Sequence, residues 1–398
     1  MRKLLVLAVV ALAGATTAGR AQAYRHTAFA QRLANALAAP NVARSRTGAF
    51  AFDLRARRVV FEHNSTLPLA PASNEKLAVT YAALVQLGPR YRFHTDVLAA
   101  RGNLYLRGGG DPTLHVSGLR KLALELRALG VTRIPGDVLA DESAFDGKRT
   151  APGWKPSFYR HESPPLSALV VARGTFHHEI SPDPAGAAAA LFVNQLRRVG
   201  IRVDGRSAWG TAPRGARLLA ETKSEPLADI LRFMDRWSDN FTAEMVLKTL
   251  GHGTTARGAA VVVRTLEQAH VPLRGVRIAD GSGLSSRDRF TARALAGILL
   301  ASWKDPRVRP YVWRALAVAG RRGTLSDRLL GAEGLVRAKT GTTDIASALS
   351  GYAGRSYVFA VVQDGSPIST SSAREAQDRF ASVLAGAATA RAARAARA

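Results

Sequence analysis

The apolar pattern changes its period twice along these 398 residues, and this interruption limits the fold more than any other feature. Gly48 to Leu54 and Val59 to His63 read as two strands around a turn at Arg55-Ala56-Arg57. Asn74 to Leu87 then places Leu77, Tyr81, Leu84 and Val85 at helical intervals and stops at Gly88-Pro89. From about residue 92 to 180, short strand-like runs such as Val97 to Leu106 alternate with Gly/Pro-rich stretches, with one helix near Val116 to Leu129. Helical spacing returns at Ala185 to Val199 and dominates Pro226 to Trp303. Leu335 to Lys339, Ala346 to Tyr352 and Ser356 to Val362 read as consecutive strands, and Ser371 to Leu384 as a last amphipathic helix. The expectation is an α/β (α+β) domain made of residues 24–91 and 181–384, interrupted by a smaller, mostly-β unit over 92–180. The Ala/Arg repeats of 385–398 read as a basic tail, a frayed helix or a surface arm. A chain this long can bury one large core or two smaller ones.

Arg2 and Lys3 precede an apolar run from Leu4 to Ala13, and Ala21-Gln22-Ala23 offers a cleavage site before Tyr24. Residues 1–23 therefore read as a secretory signal peptide. No later segment approaches the roughly 18 uninterrupted apolar residues of a membrane span, so no transmembrane anchor is expected after signal cleavage. The expected location is exported: periplasm, or the extracellular and cell-wall space. The chain has no cysteine, which excludes thiol catalysis, disulfides and cysteine–zinc sites. The formal charge is +26, and loss of Arg2, Lys3 and Arg20 with the leader leaves +23. Scattered arginines without zinc-finger spacing or an aromatic–basic RNA-binding pattern argue against a nucleic-acid partner. Anionic wall polymers are a partner that such a charge would concentrate at the protein surface.

Three short elements carry chemistry. Ser73-Asn74-Glu75-Lys76 opens the first helix, and positions i and i+3 share a helical face, so Lys76 can sit beside the Ser73 hydroxyl. A serine attacks only when a base takes its proton, and a buried lysine near other cations loses proton affinity and can serve. An N-cap is the plainer role for such a serine, and S-x-x-K alone is expected about 0.5 times by chance. Ser238-Asp239-Asn240 lies in a loop between helical runs, where Ser238 can relay a proton to a leaving amine and Asn240 can hold a substrate amide and the lysine. Lys339-Thr340-Gly341, continued by Thr342-Thr343, ends a strand. An edge there can pair with an extended peptide, and Lys339 with the threonine hydroxyls can bind a terminal carboxylate. Gly341 lets the substrate approach the backbone. K-T-G is expected only about 0.06 times by chance in this lysine-poor chain.

Serine, lysine, S-x-N and K-T-G in this order resemble the serine β-lactamase and penicillin-binding protein superfamily. Ala70-Pro71-Ala72-Ser73, Gly109-Gly110-Asp111-Pro112-Thr113-Leu114, Ala151-Pro152-Gly153-Trp154, Trp237-Ser238-Asp239-Asn240, Asp280-Gly281-Ser282-Gly283-Leu284-Ser285 and Ala338-Lys339-Thr340-Gly341 are similar to its low-molecular-mass class C branch. That branch contains the D-alanyl-D-alanine carboxypeptidases/endopeptidases. The resemblance implies a β-lactamase/transpeptidase-like domain with an antiparallel sheet flanked by helices. It implies an acyl-enzyme on Ser73, an oxyanion hole from the backbone N–H groups of Ser73 and Thr342, and no metal or organic cofactor. Peptidoglycan stem peptides would be the substrate and β-lactams slowly released inhibitors. Asp141 matches a position near the substrate's side chain, although an exposed loop aspartate is the plainer reading.

Only 165 positions separate Ser73 from Ser238, shorter than the long multi-part insert frequent in that branch. Arg173-Gly174-Thr175-Phe176-His177-His178 passes quickly into the Ala185 helix, so most of a second nested insert is expected to be lacking. His177 and His178, adjacent on a strand, would point to opposite faces and have no nearby E-x-x-H or cysteine, so no metal site is expected. Gly108-Gly109-Gly110 lacks the G-K-[ST] of a phosphate loop. Other readings are a β-lactamase, or a D-aminopeptidase or esterase of the same superfamily. A catalytically inert wall-binding relative is a third. A class A β-lactamase would need an added glutamate for deacylation, and no E-x-x-L-N segment lies between Asn240 and Lys339.

Overall fold

All eight residues of Tyr357–Asp364 are buried, which a strand achieves only when both faces of its sheet are covered. The computed structural model describes residues 27–397, so the signal peptide expected over 1–23 lies outside the described residues. The strands are β1 (Thr47–Asp53), β2 (Arg58–His63), β3 (His94–Ala100), β4 (Asn103–Gly108), β5 (Arg133–Ile134), β6 (Val138–Asp141), β7 (Thr175–Phe176) and β8 (Glu179–Ile180). They continue with β9 (Arg202–Val203), β10 (Ser207–Trp209), β11 (Arg217–Lys223), β12 (Ala317–Val318), β13 (Val336–Thr343), β14 (Ala346–Ala353) and β15 (Tyr357–Asp364). The helices are α1 (27–36), α2 (Lys76–Gln86), α3 (Val116–Ala128), α4 (Phe158–His161), α5 (Pro184–Arg198) and α6 (Leu227–Trp237). After these come α7 (Asn240–Leu250), α8 (Thr255–Gln268), α9 (Ala292–Lys304), α10 (Arg309–Ala315) and α11 (Thr370–Ala395).

Strands β12-β13-β14-β15-β1-β2 form one antiparallel sheet in that order. Alternation along β15 divides its side chains between two cores. Val358, Ala360 and Val362 join the core built with α2 and α6 to α9. Tyr357, Phe359 and Val361 join the core under α1 and α11, with Phe380 and Leu384. The fold is mixed α+β, an antiparallel sheet between helical layers, as the sequence led one to expect.

The second sheet runs β10-β6-β4-β3-β11, with β4–β6 and β6–β10 parallel. Parallel neighbours need crossovers, and α3 and α5 supply them. Phe192 and Leu196 of α5 pack with Leu119, Leu122 and Val97 in one core. This sheet therefore draws on residues 94–223, and the boundary expected at 180 falls inside it. The unit also carries two packed helices and is not mostly β. The helical period of α5 is real, but period alone cannot say which core a helix covers.

His177 and His178 have φ of 49° and 67° and form the two-residue turn between β7 and β8. They are turn residues, not neighbours within a strand. The Ala/Arg stretch is also not a free arm, since α11 continues through it to Ala395. Both residue types favour helix, and Ala385 and Ala388 are buried. Arg391 grips buried Asp53 through two bonds of 2.9 and 2.6 Å. Among the described residues no helix is long and apolar enough to cross a membrane.

Candidate active site

A short 3₁₀ turn, Ala72–Glu75, carries Ser73 and leads directly into α2. The helix has Glu75 at its N-cap and no side-chain cap, so Ser73 is not a capping serine. Its Oγ instead accepts a bond from Lys76 Nζ at 2.9 Å. The same ammonium donates to Asn240 Oδ1 at 2.8 Å and to the Ser282 carbonyl at 2.6 Å. Lys76 is fully buried, and loss of hydration pulls its pKa down to about 8 against the opposing pull of Asp280, Glu244, Asp239 and Asp235. In the neutral amine, Asn240 and Ser282 can occupy the two N–H groups while the lone pair faces the Ser73 hydroxyl. That is the geometry of a general base.

Two close approaches hold this turn in place. Asn74 Nδ2 donates to the Lys339 carbonyl of β13 at 3.1 Å. A Cβ on Gly341 would lie 3.0 Å from Ser73 N, 3.0 Å from Pro71 O and 2.9 Å from Asn74 Nδ2. Gly341 is thus what brings β13 against the nucleophile turn itself. On the other side Gly283, at φ +80°, would drive a Cβ to 1.9 Å from the Ala72 carbonyl. The Asp280–Ser285 turn is built around Asp280, which accepts from Gly283 N, Ser285 N, Ser282 Oγ and Trp154 Nε1. Glu244 Oε1 braces it from α7 through Gly281 N and Ser282 N.

The Ser238 loop closes the constellation. Ser238 takes a left-handed conformation (φ 62°, ψ 39°), unusual for a residue with a side chain and frequent at strained functional positions. Asp239 caps α7 by accepting from Thr242 N at 2.8 Å, which leaves Asn240 at the first turn facing Lys76. Arg173 clamps Asp239 at 2.8 Å and lies over the Phe241 ring at 5.0 Å. On its other side Asn240 Nδ2 donates to the Glu162 carbonyl at 3.1 Å and to Glu162 Oε2 at 3.3 Å.

The resulting cleft has a volume of about 460 Å³. Ser73, Ser238, Asn240, Glu162, Thr340, Gly341 and Thr342 are among the residues that line it. Lys339 stands apart from its two neighbours in the motif. It is fully buried, donates to the Thr340 carbonyl at 2.8 Å, and has its proton affinity lowered by burial and by the Lys76 charge. Behind it lies buried Asp235, whose pKa burial raises to about 6 against the attraction of Lys339. A carboxylate in the cleft would meet the Thr340 and Thr342 side chains and Arg374, whose Nη2 is 3.2 Å from Thr342 Oγ1. Asp141 departs from expectation. It is 1% exposed, accepts from Ser143 N and Ala212 N, and fastens the end of β6 instead of lining the cleft.

The profile of the D-Ala-D-Ala carboxypeptidase 3 (S13) family matches residues 29–191 and 180–387. The chain belongs to that family. It is 32% identical over 365 residues to carboxypeptidase DacB of Mycolicibacterium smegmatis, covering 82% of this chain and 77% of that one. It is 30% identical over 403 residues to the D-alanyl-D-alanine carboxypeptidase of Actinomadura sp., covering 77% and 74%. Among solved structures, penicillin binding protein 4 (DacB) of Haemophilus influenzae superposes with a TM-score of 0.75 at 21% identity, over 89% of this chain and 97% of that one. The same Haemophilus protein complexed with a β-lactam gives 0.69 at 21% identity, over 92% and 98%.

Several groups around this S13 site were not visible as functional in the sequence. Glu162 and Arg173 precede the Ser238 motif by 76 and 65 positions and carry no motif of their own. Glu75 is fully buried under the nucleophile, with its carboxyl against Asp288. Burial raises both carboxyls far above the usual range, with Asp288 adding to the rise at Glu75 and Asp280 to the rise at Asp288. Both Glu75 oxygens and Asp288 Oδ2 lack another partner, so a proton shared between the two acids satisfies them. Asp280 completes a three-carboxylate group within 4.8 Å, but its oxygens are already filled by four donors, a poor ligand for a cation. His94, Asp96 and Glu221 also come together, with His94 paired to Glu221 and Asp96 to Arg107. Neither group includes His177 or His178.

Proposed function

We propose that this chain is an exported serine D-alanyl-D-alanine carboxypeptidase/endopeptidase that acts on peptidoglycan stem peptides through an ester on Ser73. The observation that carries this reading is the contact of one buried amine with Ser73 Oγ and Asn240 Oδ1, in a cleft that Thr340 to Thr342 also line. Lys76 takes the Ser73 proton as Oγ attacks the carbonyl of the penultimate D-alanine. The N–H groups of Ser73 and Thr342 receive the developing oxyanion. Ser238 delivers a proton to the departing amine and recovers one from solvent, the C–N bond breaks, and the terminal D-alanine or the cross-linked strand leaves while Lys76 keeps the proton taken from Ser73. The carboxylate of the leaving group rests on Thr340, Thr342 and Arg374. Water then hydrolyses the ester. A β-lactam presents a strained amide to the same hydroxyl and acylates Ser73.

Membership of the S13 family and the leader-like residues 1–23 support export to the wall space. The excess of basic residues supports attraction to anionic wall polymers. Incubating the protein with defined pentapeptide and cross-linked muropeptides, and identifying products by mass, tests the reading. Release of D-alanine or strand separation is expected from the parent. In Ser73→Ala the rate should fall by about 10⁴-fold or more with the melting temperature retained. Equal turnover by the variant would remove the assignment.

A further inference from the structure

Glu162 enters the cleft from the end of α4, outside all three motifs. Its placement does not depend on its own side chain alone. Asn240 Nδ2 binds the Glu162 backbone carbonyl at 3.1 Å as well as its carboxylate at 3.3 Å. The backbone on either side is anchored. Glu162 N donates to the Phe158 carbonyl, Ser163 is fully buried, and Pro164 and Pro165 stiffen the next two positions. Leu166 N then donates to the Arg149 carbonyl, and the Arg149 guanidinium returns a bond to the Leu166 carbonyl. The side chain of Glu162 itself is exposed to the cleft, where it shares the wall with Ser73 and Ser238. Glu162, Asn240, Lys76 and Ser73 form one continuous hydrogen-bonded series, with Asn240 joining the carboxylate to the amine.

We propose that Glu162 is the base that activates the hydrolytic water when the Ser73 acyl-enzyme breaks down. This inference rests on the acyl-enzyme reading above and assigns its second half. Acylation is served by Lys76, whose amine touches the Ser73 oxygen; once that oxygen is esterified, the attacking water needs a separate proton acceptor. The Glu162 carboxylate in the same cleft supplies one. Water gives a proton to Glu162 as its oxygen bonds to the ester carbon. The tetrahedral adduct collapses, the bond from carbon to Ser73 Oγ breaks, and Oγ takes a proton from the Lys76 ammonium 2.9 Å away. The acid product leaves, Glu162 gives its proton to solvent, and Lys76 is left as the neutral amine that the next acylation needs. Serine β-lactamases with a deacylating glutamate use the same division of labour. The inference therefore extends to a second activity, hydrolytic turnover of a penicilloyl adduct. The relevant glutamate is contributed before the Ser238 motif, not between Asn240 and Lys339.

The test separates the two half-reactions in the full-length protein with a fluorescent penicillin and with a D-alanyl-D-alanine peptide. In Glu162→Gln the rate of Ser73 acylation should stay within about threefold of the parent, while loss of the adduct should slow by about 10²-fold or more. The peptide should likewise give accumulation of acyl-enzyme, seen by mass, and a kcat that falls with KM. Glu162→Asp should recover part of the deacylation rate, and the pH dependence of deacylation should differ between the parent and Glu162→Gln. An unchanged adduct lifetime in Glu162→Gln would overturn the proposal. An equal loss of acylation and deacylation, with no rescue by aspartate, would overturn it too and make Glu162 a support for Asn240. If no adduct forms on Ser73 in the parent, the failure lies with the acyl-enzyme reading instead.

Discussion

Asn74 gives its side-chain amide to the carbonyl of Lys339 across 3.1 Å, joining positions 265 residues apart. Through this bond the residue next to Ser73 is fixed to strand β13. The donor and acceptor are both fully buried residues, so the contact does not compete with water.

Gly341 permits that approach, because any Cβ there meets Ser73 N, Pro71 O and Asn74 Nδ2 at 2.9 to 3.0 Å. Gly341→Ala should force the turn away from β13 by a few tenths of an ångström. We expect acylation by labelled penicillin to slow by about 10²-fold and stability to fall by about 1–3 kcal/mol. Stopped-flow acylation and thermal melts check both. Parent-like acylation would show that the spacing is not critical.

Burial brings the Lys76 pKa down to about 8, so the competent neutral amine is the minor form at neutral pH. The acylation rate should rise about tenfold per pH unit below this value and level off above it. Lys76→Arg, which cannot deprotonate, should lose about 10³-fold or more. A limb centred below pH 6.5 in the acylation profile would rule out Lys76 as the titrating base.

Glu75 is raised far above the carboxylate range by burial and by Asp288, so the native chain keeps a proton that the unfolded chain releases. The unfolded chain then binds fewer protons than the folded one, and stability declines as pH climbs past the ordinary glutamate range. Glu244, raised to about 8 by burial and Asp280, acts in the same direction up to that pH. Glu75→Gln keeps the shape and an N–H for Asp288 without any ionisation. Its melting temperature relative to the parent should improve between pH 5 and pH 8 by about 2–4 °C. A pH-independent difference would contradict the shared proton.

Arg391 neutralises Asp53, which is 1% exposed and held below the usual aspartate range despite its burial. Arg391→Ala should destabilise by about 2 kcal/mol, less than for a wholly buried pair because the arginine is one-third exposed. The loss should shrink as pH falls through the Asp53 titration, since a lowered carboxyl pKa contributes stability only above it. Differential melts at pH 7 and pH 3 check this. An unchanged melt at pH 7 would restore the basic segment to the status of a loose tail.

How much was legible varies element by element. Strands β13 to β15 were readable because their apolar runs are short, consecutive and punctuated by turns. The Ser73–Lys76, Ser238–Asn240 and Lys339–Gly341 segments stand out because each is a local pattern, and the structure brings them together around one cleft. Helix α5 was assigned to the wrong core, since an amphipathic period names a face and not its partner. Asp141 was misplaced for the same reason: its neighbours in sequence say nothing of the Ala212 amide that it binds.

The chain's own short segments, then, determined a candidate hydroxyl, a candidate amine and a candidate strand, with a superfamily resemblance carried by their order. Tertiary structure alone decided that Lys76 is dry enough to lose proton affinity, that Lys339 lies behind the cleft, and that Glu162 and Arg173 reach the Ser238 loop. Desolvation and contact between distant segments depend on what packs around a side chain. That information belongs to the assembled core, not to any stretch of residues read in order.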